Sequence, residues 1–138
     1  MRLIVSTAIV LMIAAFGILL TPAARASAAT SCTAESQFTD SDAQHVWIPT
    51  VGRQTYNADC QLGLGNDNDA VLTLQNDLNA CYPHDGVQTD GIFGQETMTA
   101  LKAVQRILGI TADGVYGPQT RDHIHWIDAG GNCALLPV

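Results

Sequence analysis

The sequence predicts a small all-α fold, a three-helix bundle stabilised by disulfides. An eight-residue pattern, D-G-[IV]-[FY]-G-x-[EQ]-T, occurs at residues 90–97 and again at residues 113–120. Before, between and after the two copies, apolar residues recur every three or four positions, as they do on the buried stripe of an amphipathic helix. We therefore expect three short helices joined by two matching glycine-rich loops.

Residues 1–26 have the composition of a secretory signal peptide. Arg2 gives a basic start, residues 3–20 are almost entirely apolar, and Pro22 precedes small residues with A-x-A cleavage sites that end at Ala26 and Ala28. The apolar run is also long enough to remain as an uncleaved membrane anchor, but the position of the A-x-A sites favours cleavage. We expect a secreted protein.

The charge of the chain excludes some classes of partner. The 138 residues include 13 acids and six Lys or Arg, for a net charge of −7. Cleavage after Ala26 would remove Arg2 and Arg25 and leave four cations against 13 acids, a net charge of −9. Without a basic face, neither nucleic acid nor an anionic membrane is expected as a partner. An uncharged or cationic ligand fits better, although an acidic surface also serves solubility alone.

All four cysteines follow the predicted signal peptide, and an even number in an exported chain predicts two disulfides. Four cysteines allow three pairings. A helix over residues 70–80 would be about 16 Å long, and a chain that doubles back along it would bring Cys60 beside Cys81. Cys60–Cys81 with Cys32–Cys133 is therefore the pairing we expect first. No C-x-x-C pair is present, so zinc is not expected.

Residues 27–60 have a weak pattern and predict an irregular N-terminal arm. Three consecutive apolar residues, 46–48, also fit a short strand over residues 45–48. The domain proper is expected over residues 61–138. It begins with a turn in which Asn68 or Asp69 caps the first helix. The acids of this turn have the spacing that opens an EF-hand loop, but leucines stand where that loop needs its glycine and its glutamate, so calcium is not expected.

The three helices are predicted from their apolar stripes and their end signals. The first covers residues 70–81 and ends at Tyr82-Pro83, after which residues 84–86 form a turn. The second begins after Gly94 and ends at Leu108, before Gly109. The third begins at Pro118, a favoured first helical residue, and continues to Ala129 with Ile124, Trp126 and Ile127 on its stripe.

The repeated loop has a structural interpretation at every position. Its aspartate can accept hydrogen bonds from N–H groups two residues on, and the following glycine can take a positive φ. The threonine falls in the first turn of the next helix, where N–H groups are free. Gln75 and Gln105 occupy equivalent places one loop before each copy, and their amides are expected to hold helix and loop together. Contact with a ligand is the alternative.

These residues resemble a known family. Residues 65–127 are similar to the peptidoglycan-binding domain 1 family, a three-helix module of bacterial cell-wall hydrolases. The resemblance is carried by the V-x-x-L-Q of residues 71–75, by the two repeated loops, and by Val104-Gln105. Val104 stands where the family usually has an aromatic residue, and residues 67–69 replace a glycine-containing turn. The resemblance implies binding to the sugar-peptide polymer of the wall and a secreted protein that is extracellular or wall-associated.

No catalytic site is expected, and no metal or cofactor. His123 and His125 form an H-x-H pair, but on a helix two residues apart point in directions about 200° apart. His45 and His84 have no partner at metal-ligand spacing. Glu35 and Glu96 have nothing in the sequence to link them as a glycosidase pair, and no G-x-S-x-G occurs. With about 110 residues after the signal peptide, a catalytic domain beside the module is not expected.

The leading functional hypothesis is therefore a secreted, non-catalytic peptidoglycan-binding module. The alternative is a protein that uses the same bundle, with residues 27–60 as the contact, to bind or inhibit another secreted protein. A cryptic wall hydrolase is the third hypothesis. By position, the residues expected to contact the wall polymer are the following, most of which also have the structural interpretation given above: Tyr82, Asp90, Phe93, Thr97, Gln105, Asp113, Tyr116 and Thr120.

Overall fold

The computed structural model describes residues 29–40, 42–82 and 86–137. In chain order the elements are strands β1 (Ala34–Thr39) and β2 (His45–Thr50), helices α1 (Asp69–Cys81), α2 (Gln95–Ile107) and α3 (Pro118–Arg121), and strands β3 (Trp126–Ile127) and β4 (Cys133–Ala134). The strands form two separate two-stranded antiparallel sheets, β1-β2 and β3-β4. The prediction of an all-α three-helix bundle is wrong. The predicted signal peptide, and His84 and Asp85 of the predicted turn, lie outside the described residues.

The predicted irregular arm contains a β-hairpin. β1 and β2 pair from Ala34 opposite Thr50 to Thr39 opposite His45, so the strand that residues 45–48 also fit, as the alternative to an irregular arm, is present and longer. Burial alternates at Ala34 and Ser36 of β1 and at Val46 and Ile48 of β2, and β2 then ends in two consecutive buried residues, Pro49 and Thr50. Ser36 and Thr50 are polar members of this buried set. Their hydroxyls lie 3.1 Å apart and bond to each other. Serine and threonine are usually expected to face solvent. Because they occupy buried positions here, the sequence lacks the alternation of apolar and polar residues from which a strand is predicted.

The predicted third helix is only one turn long. α3 ends at Arg121, and Trp126–Ile127 forms a strand paired with Cys133–Ala134. Ile124 and Trp126 are fully buried, with the two-residue spacing of a strand. Partners on other elements hold the extended chain: the Ile127 N–H donates to Asp77 Oδ1 of α1 at 2.8 Å, and the Ala129 N–H donates to the His45 carbonyl at 2.9 Å. Tertiary contacts therefore override the helical spacing.

The first two helices begin and end within one residue of the prediction. Asn68 caps α1, with Oδ1 accepting from the Val71 N–H at 3.2 Å. α2 begins directly after Gly94, and Gly109 follows it with a φ of 69°. The helices pack around one core with the hairpin and β3. Its largest fully buried side chains include Trp126, Tyr116, Phe93, Ile48, Leu62, Leu74, Leu78, Leu101 and Ile124.

The disulfides join Cys32 to Cys60 and Cys81 to Cys133, with Cα–Cα distances of 5.0 and 5.6 Å. Two disulfides are present as predicted, but the pairing we expected first is wrong. The chain beyond Cys60 does not double back along α1. Instead, Gln61 exchanges backbone hydrogen bonds with Thr30 and Cys32 at 2.8 and 3.0 Å, which places Cys32 beside Cys60. The helix end at Cys81 is then left next to β4.

None of the helices within the described ranges combines the length and the apolar character that crossing a bilayer requires.

Candidate functional site

A buried glutamine holds the first copy of the repeated loop. Gln75 of α1 is 1% exposed. Its Nε2 lies 3.1 Å from Asp90 Oδ1, 3.0 Å from the Ile92 carbonyl and 3.1 Å from Thr97 Oγ1, and its Oε1 accepts from the Gly91 N–H at 2.9 Å. One amide thus joins α1 to both ends of the loop and to the first turn of α2.

The second copy repeats this arrangement almost to the tenth of an ångström. Gln105 Nε2 lies 3.1 Å from Asp113 Oδ1, 3.0 Å from the Val115 carbonyl and 3.1 Å from Thr120 Oγ1, and its Oε1 accepts from the Gly114 N–H at 2.8 Å. The interpretation that these glutamines hold helix and loop together is confirmed. We call each arrangement a glutamine clamp.

Asp90 and Asp113 each close their own turn. Oδ1 of Asp90 accepts from the Ile92 N–H at 2.8 Å, and Oδ1 of Asp113 accepts from the Val115 N–H at 2.9 Å. The hydrogen bond from Ile92 and the contact with Gln75 stabilise the ionised form, which lowers the pKa of Asp90 from its ordinary value. Gly91 and Gly114 follow with φ values of 77° and 76°, as predicted for these glycines.

Residues 61–68 connect the two loops. Leu62 exchanges two backbone hydrogen bonds with Tyr116, at 3.0 and 2.9 Å, and Phe93 does so with Gly65 and Asn66, at 3.0 and 2.8 Å. The rings of Phe93 and Tyr116 consequently point into the core, where both are fully buried. Tyr116 packs edge-to-face on Trp126 with 6.0 Å between ring centroids, and burial raises its pKa well above the ordinary value.

Most of the residues predicted to contact a ligand are buried and stabilise the fold. Besides Phe93 and Tyr116, the side chains of Thr97, Gln105 and Thr120 are buried within the clamps. Tyr82 is 7% exposed, and its hydroxyl accepts from the His125 N–H at 2.8 Å. Asp90 and Asp113 are exposed. Of the eight, the two aspartates therefore retain the most surface toward a ligand.

A small cleft brings three of the predicted residues together. It measures about 120 Å³, lies against the second loop and contains Gln105, Asp113 and Thr120. The exposed side chains of Gln61 and Gln119 also line it, and neither was among the predicted contact residues. The repeat itself carries the signal for Gln119, which occupies the [EQ] position of the pattern. Nothing in the sequence marks Gln61.

A larger groove lies between the hairpin and α1. It measures about 420 Å³ and is lined by Glu35, Trp47, Arg53, Asp69, Leu72, Thr73, Asn76, Asp77 and Ile127. Trp47 is 51% exposed. A second depression shares Glu35, Trp47 and Arg53 with it and continues to Tyr56. This site was not predictable from the sequence because its residues come from five separate parts of the chain. The exposed tryptophan of the arm was its one visible signal.

Charged groups define the groove. Arg53 bonds to the Asp69 carboxylate and lies 4.0 Å from Glu35 Oε1, and the Asp69 hydrogen bond is the main reason why the pKa of Arg53 is raised. Oε2 of Glu35 is buried and has no hydrogen-bond partner within the described ranges. Asp77 is 1% exposed, and burial raises its pKa to about 8, so this carboxyl is mostly neutral at pH 7.

The histidine pair lies in a different setting from the one expected. His123 and His125 follow α3 in the turn before β3, so the prediction that both lie on a helix is wrong. His123 Nδ1 bonds to the Gln119 carbonyl at 2.8 Å, and His125 Nδ1 lies 3.2 Å from the Tyr82 hydroxyl. Among the residues that the structure describes, no three His, Cys, Asp or Glu side chains cluster as metal ligands would.

Together these features define a small mixed domain built on two clamped loops. Residues 67–124 match the family described as "Putative peptidoglycan binding domain". This segment of the chain belongs to that family, as its resemblance predicted. The hairpin precedes the matched segment, and the β3-β4 sheet follows it.

Relatives of the chain include two proteins named as amidases. Over 57 residues the chain is 40% identical to a "Probable N-acetylmuramoyl-L-alanine amidase" of Bacillus licheniformis, an alignment that covers 38% of this chain and 16% of the relative. Over 69 residues it is 36% identical to the N-acetylmuramoyl-L-alanine amidase CwlM of Mycobacterium tuberculosis, covering 50% and 17%. The chain thus spans about a sixth of the length of each.

A crystal structure of a peptidoglycan-binding protein from Clostridioides difficile is also similar. It aligns with a TM-score of 0.47 and 26% identity, over 64% of this chain and 54% of the other.

Proposed function

We propose that this chain is a secreted peptidoglycan-binding protein that holds the wall polymer without cleaving it. The observation that carries the proposal is the match of residues 67–124 to the peptidoglycan-binding family. The two glutamine clamps form the rigid frame of that segment. Because the clamps use the polar atoms of the loops internally, the ligand must contact what the loops leave exposed.

The cleft at the second loop supplies suitable groups. The Asp113 carboxylate accepts hydrogen bonds, and the amides of Gln61 and Gln119 both donate and accept. Hydroxyl and amide groups of a sugar-peptide polymer complement this set. At about 120 Å³ the cleft is smaller than a typical ligand pocket, so it would take one substituent of the polymer.

The chemistry of the loops supports binding over hydrolysis. A general acid needs a pKa raised toward neutrality, whereas the pKa of Asp90 is lowered. Oδ1 of Asp113 is likewise occupied by Gln105 and the Val115 N–H. Both aspartates therefore serve their loops as fixed hydrogen-bond acceptors.

Cosedimentation with purified insoluble peptidoglycan tests the proposal. Asp113→Asn keeps the Oδ1 acceptor for Gln105 and Val115 but replaces the remaining oxygen with an amide nitrogen. Loss of a hydrogen bond to that oxygen should weaken retention by about three- to tenfold. Asp90→Asn makes the same change in the first loop, away from the cleft, and should retain wild-type binding.

Two results would count against parts of the proposal. Wild-type retention no greater than that of an unrelated protein of equal charge would reject wall binding. Equal behaviour of the two variants would keep wall binding and reject the cleft as the contact.

The second candidate function is capture of another secreted protein by the arm. Its support is the exposure of two aromatic side chains there, Trp47 and Tyr56, at 51% and 66%. Deleting the arm would remove core residues such as Val46 and Ile48, so the suitable perturbation is the double variant Trp47→Ser with Tyr56→Ser. If this function is correct, the double variant loses partner capture from a secreted fraction and retains its thermal transition.

A further inference from the structure

We propose that the groove between the hairpin and α1 binds a primary ammonium group carried on a short aliphatic chain, as in a lysine side chain. The hairpin half of this groove lies outside the segment that matches the family. The inference goes beyond wall binding and does not depend on it.

The shape and the apolar lining of the groove suit a flexible aliphatic chain. Its volume of about 420 Å³ lies within the range of small-molecule sites. Trp47, Leu72 and Ile127 line it, and Trp47 leaves half of its surface exposed. Methylene groups pack well on such side chains. The face of an indole also attracts a cation that lies within about 6 Å of the ring.

The charges of the groove select a cation. Glu35 and Asp69 contribute two carboxylates and Arg53 one guanidinium, so acidic charge exceeds basic charge. The Glu35 carboxylate lines the groove, lies 4.0 Å from Arg53 and has an Oε2 with no hydrogen-bond partner within the described ranges, so the protein satisfies this charge only in part. A carboxylate that accepts from an ammonium forms a charge-assisted hydrogen bond, which is stronger than a neutral one.

The Arg53 guanidinium occupies a position that is favourable for a cation, and it therefore competes with a ligand ammonium for the carboxylates there. Its guanidinium lies between Asp69 and Glu35, yet its side chain is 70% exposed. Exposed ion pairs of this kind contribute little, so a ligand ammonium can displace the guanidinium from Glu35 at low cost. Removal of the arginine charge should therefore strengthen amine binding, whereas an anion-binding groove would lose its ligand.

The two tryptophans make the test direct. In the disulfide-intact, ¹⁵N-labelled protein, the indole N–H signal of Trp47 reports on the groove, and that of buried Trp126, which bonds to the Arg121 carbonyl, is the internal control. Trp47→Phe assigns the two signals. Titration with Nα-acetyl-lysine methylamide should shift the Trp47 signal saturably, with a Kd on the order of millimolar. The Nε-acetylated analogue, which has no charge, should not.

Matched variants locate the contact. Glu35→Gln should weaken amine binding up to about fivefold, and Arg53→Gln should strengthen it by a similar factor. Glu96→Gln makes the same chemical change on α2, outside the groove, and should leave the affinity unchanged. The proposal is overturned if the amine produces no saturable shift, if the acetylated analogue binds equally, or if Glu35→Gln and Glu96→Gln behave alike. Binding of acetate that is lost in Arg53→Gln would overturn it in favour of an anion site.

Discussion

Asp77→Asn should make the protein more stable at neutral pH and remove part of its pH dependence. Asp77 is 1% exposed on α1, and its Oδ1 accepts from the Ile127 N–H at 2.8 Å. Asparagine keeps an Oδ1 that accepts the same hydrogen bond. The substitution thus removes the ionisable group and preserves the contact between α1 and β3.

The expected change in unfolding free energy follows from the pKa of Asp77. Burial raises the pKa of Asp77 from 3.8 to about 8 in the folded protein. Well below pH 3.8 the carboxyl is protonated in both states, and its contribution to stability is fully present. As pH rises from 4 to 8, the unfolded chain loses this proton and the folded protein keeps it, so stability falls by about 1.4 kcal/mol per pH unit. By pH 7 the loss is roughly 4 kcal/mol, a large part of a typical unfolding free energy.

Urea denaturation of both proteins at half-unit steps from pH 4 to pH 9 measures this effect. The difference in unfolding free energy, variant minus wild type, should be near zero at pH 4, rise through pH 7 and level off above pH 8. Other titrating groups cancel in this difference. Asp67→Asn, an exposed substitution, is the control and should give a small, flat difference. A flat or falling difference for Asp77→Asn would mean that Asp77 is ionised in the folded protein and would refute the reasoning.

Three other outcomes are expected. Gln105→Ala should destabilise the protein by about 2–4 kcal/mol in the same assay, because the buried Gly114 N–H loses its acceptor. Gln105→Glu keeps an acceptor but adds a buried charge, so it should not recover wild-type stability. Gly114→Ala should cost about 2–3 kcal/mol, since its φ is 76° and a Cβ would lie 2.7 Å from Met98 Cγ; an unchanged thermal midpoint would contradict this. Mass mapping of the unreduced protein, cut by chymotrypsin between successive cysteines, should recover Cys32 linked to Cys60 and Cys81 linked to Cys133; a Cys60–Cys81 peptide would contradict the structure.

Features that depend on nearby residues were predictable from the sequence. The first two helices, the Asn68 cap and the positive φ of Gly91 all follow from residues within a few positions. The glutamine clamps were predictable for a different reason. A polar residue that recurs at the same place before two copies of a loop indicates a shared role in holding that loop.

Features that depend on distant partners were not predictable. Ser36 and Thr50 satisfy each other across the hairpin, so neither strand shows an apolar alternation. The strand at residues 126–127 forms because Asp77 and β4 supply its partners. The disulfide pairing depends on the path of residues 61–68 across both loops, which spacing alone does not give.

The candidate site illustrates the same division. Most of the eight residues predicted to contact the wall polymer were chosen because of the repeat. Six of these eight side chains are buried and stabilise the fold. Residues that recur in both copies of the loop do so because they make the same packing contacts and hydrogen bonds in each copy. The repeat therefore indicates structural residues more than ligand contacts. The groove beside Trp47 has no counterpart in the repeat, and its residues meet only once the hairpin has docked on α1.

The two glutamine clamps are nearly identical in geometry but unequal in the chain length that each must close. Gln105 reaches Asp113 across eight residues, whereas Gln75 reaches Asp90 across 15. Closing the longer segment costs about 0.6 kcal/mol more in chain entropy. The second clamp therefore has the advantage as an early folding nucleus, with the first clamp and the hairpin added to it. Two copies that stabilise the native state alike would then differ in kinetics, with Gln105 substitutions slowing folding and Gln75 substitutions mainly accelerating unfolding.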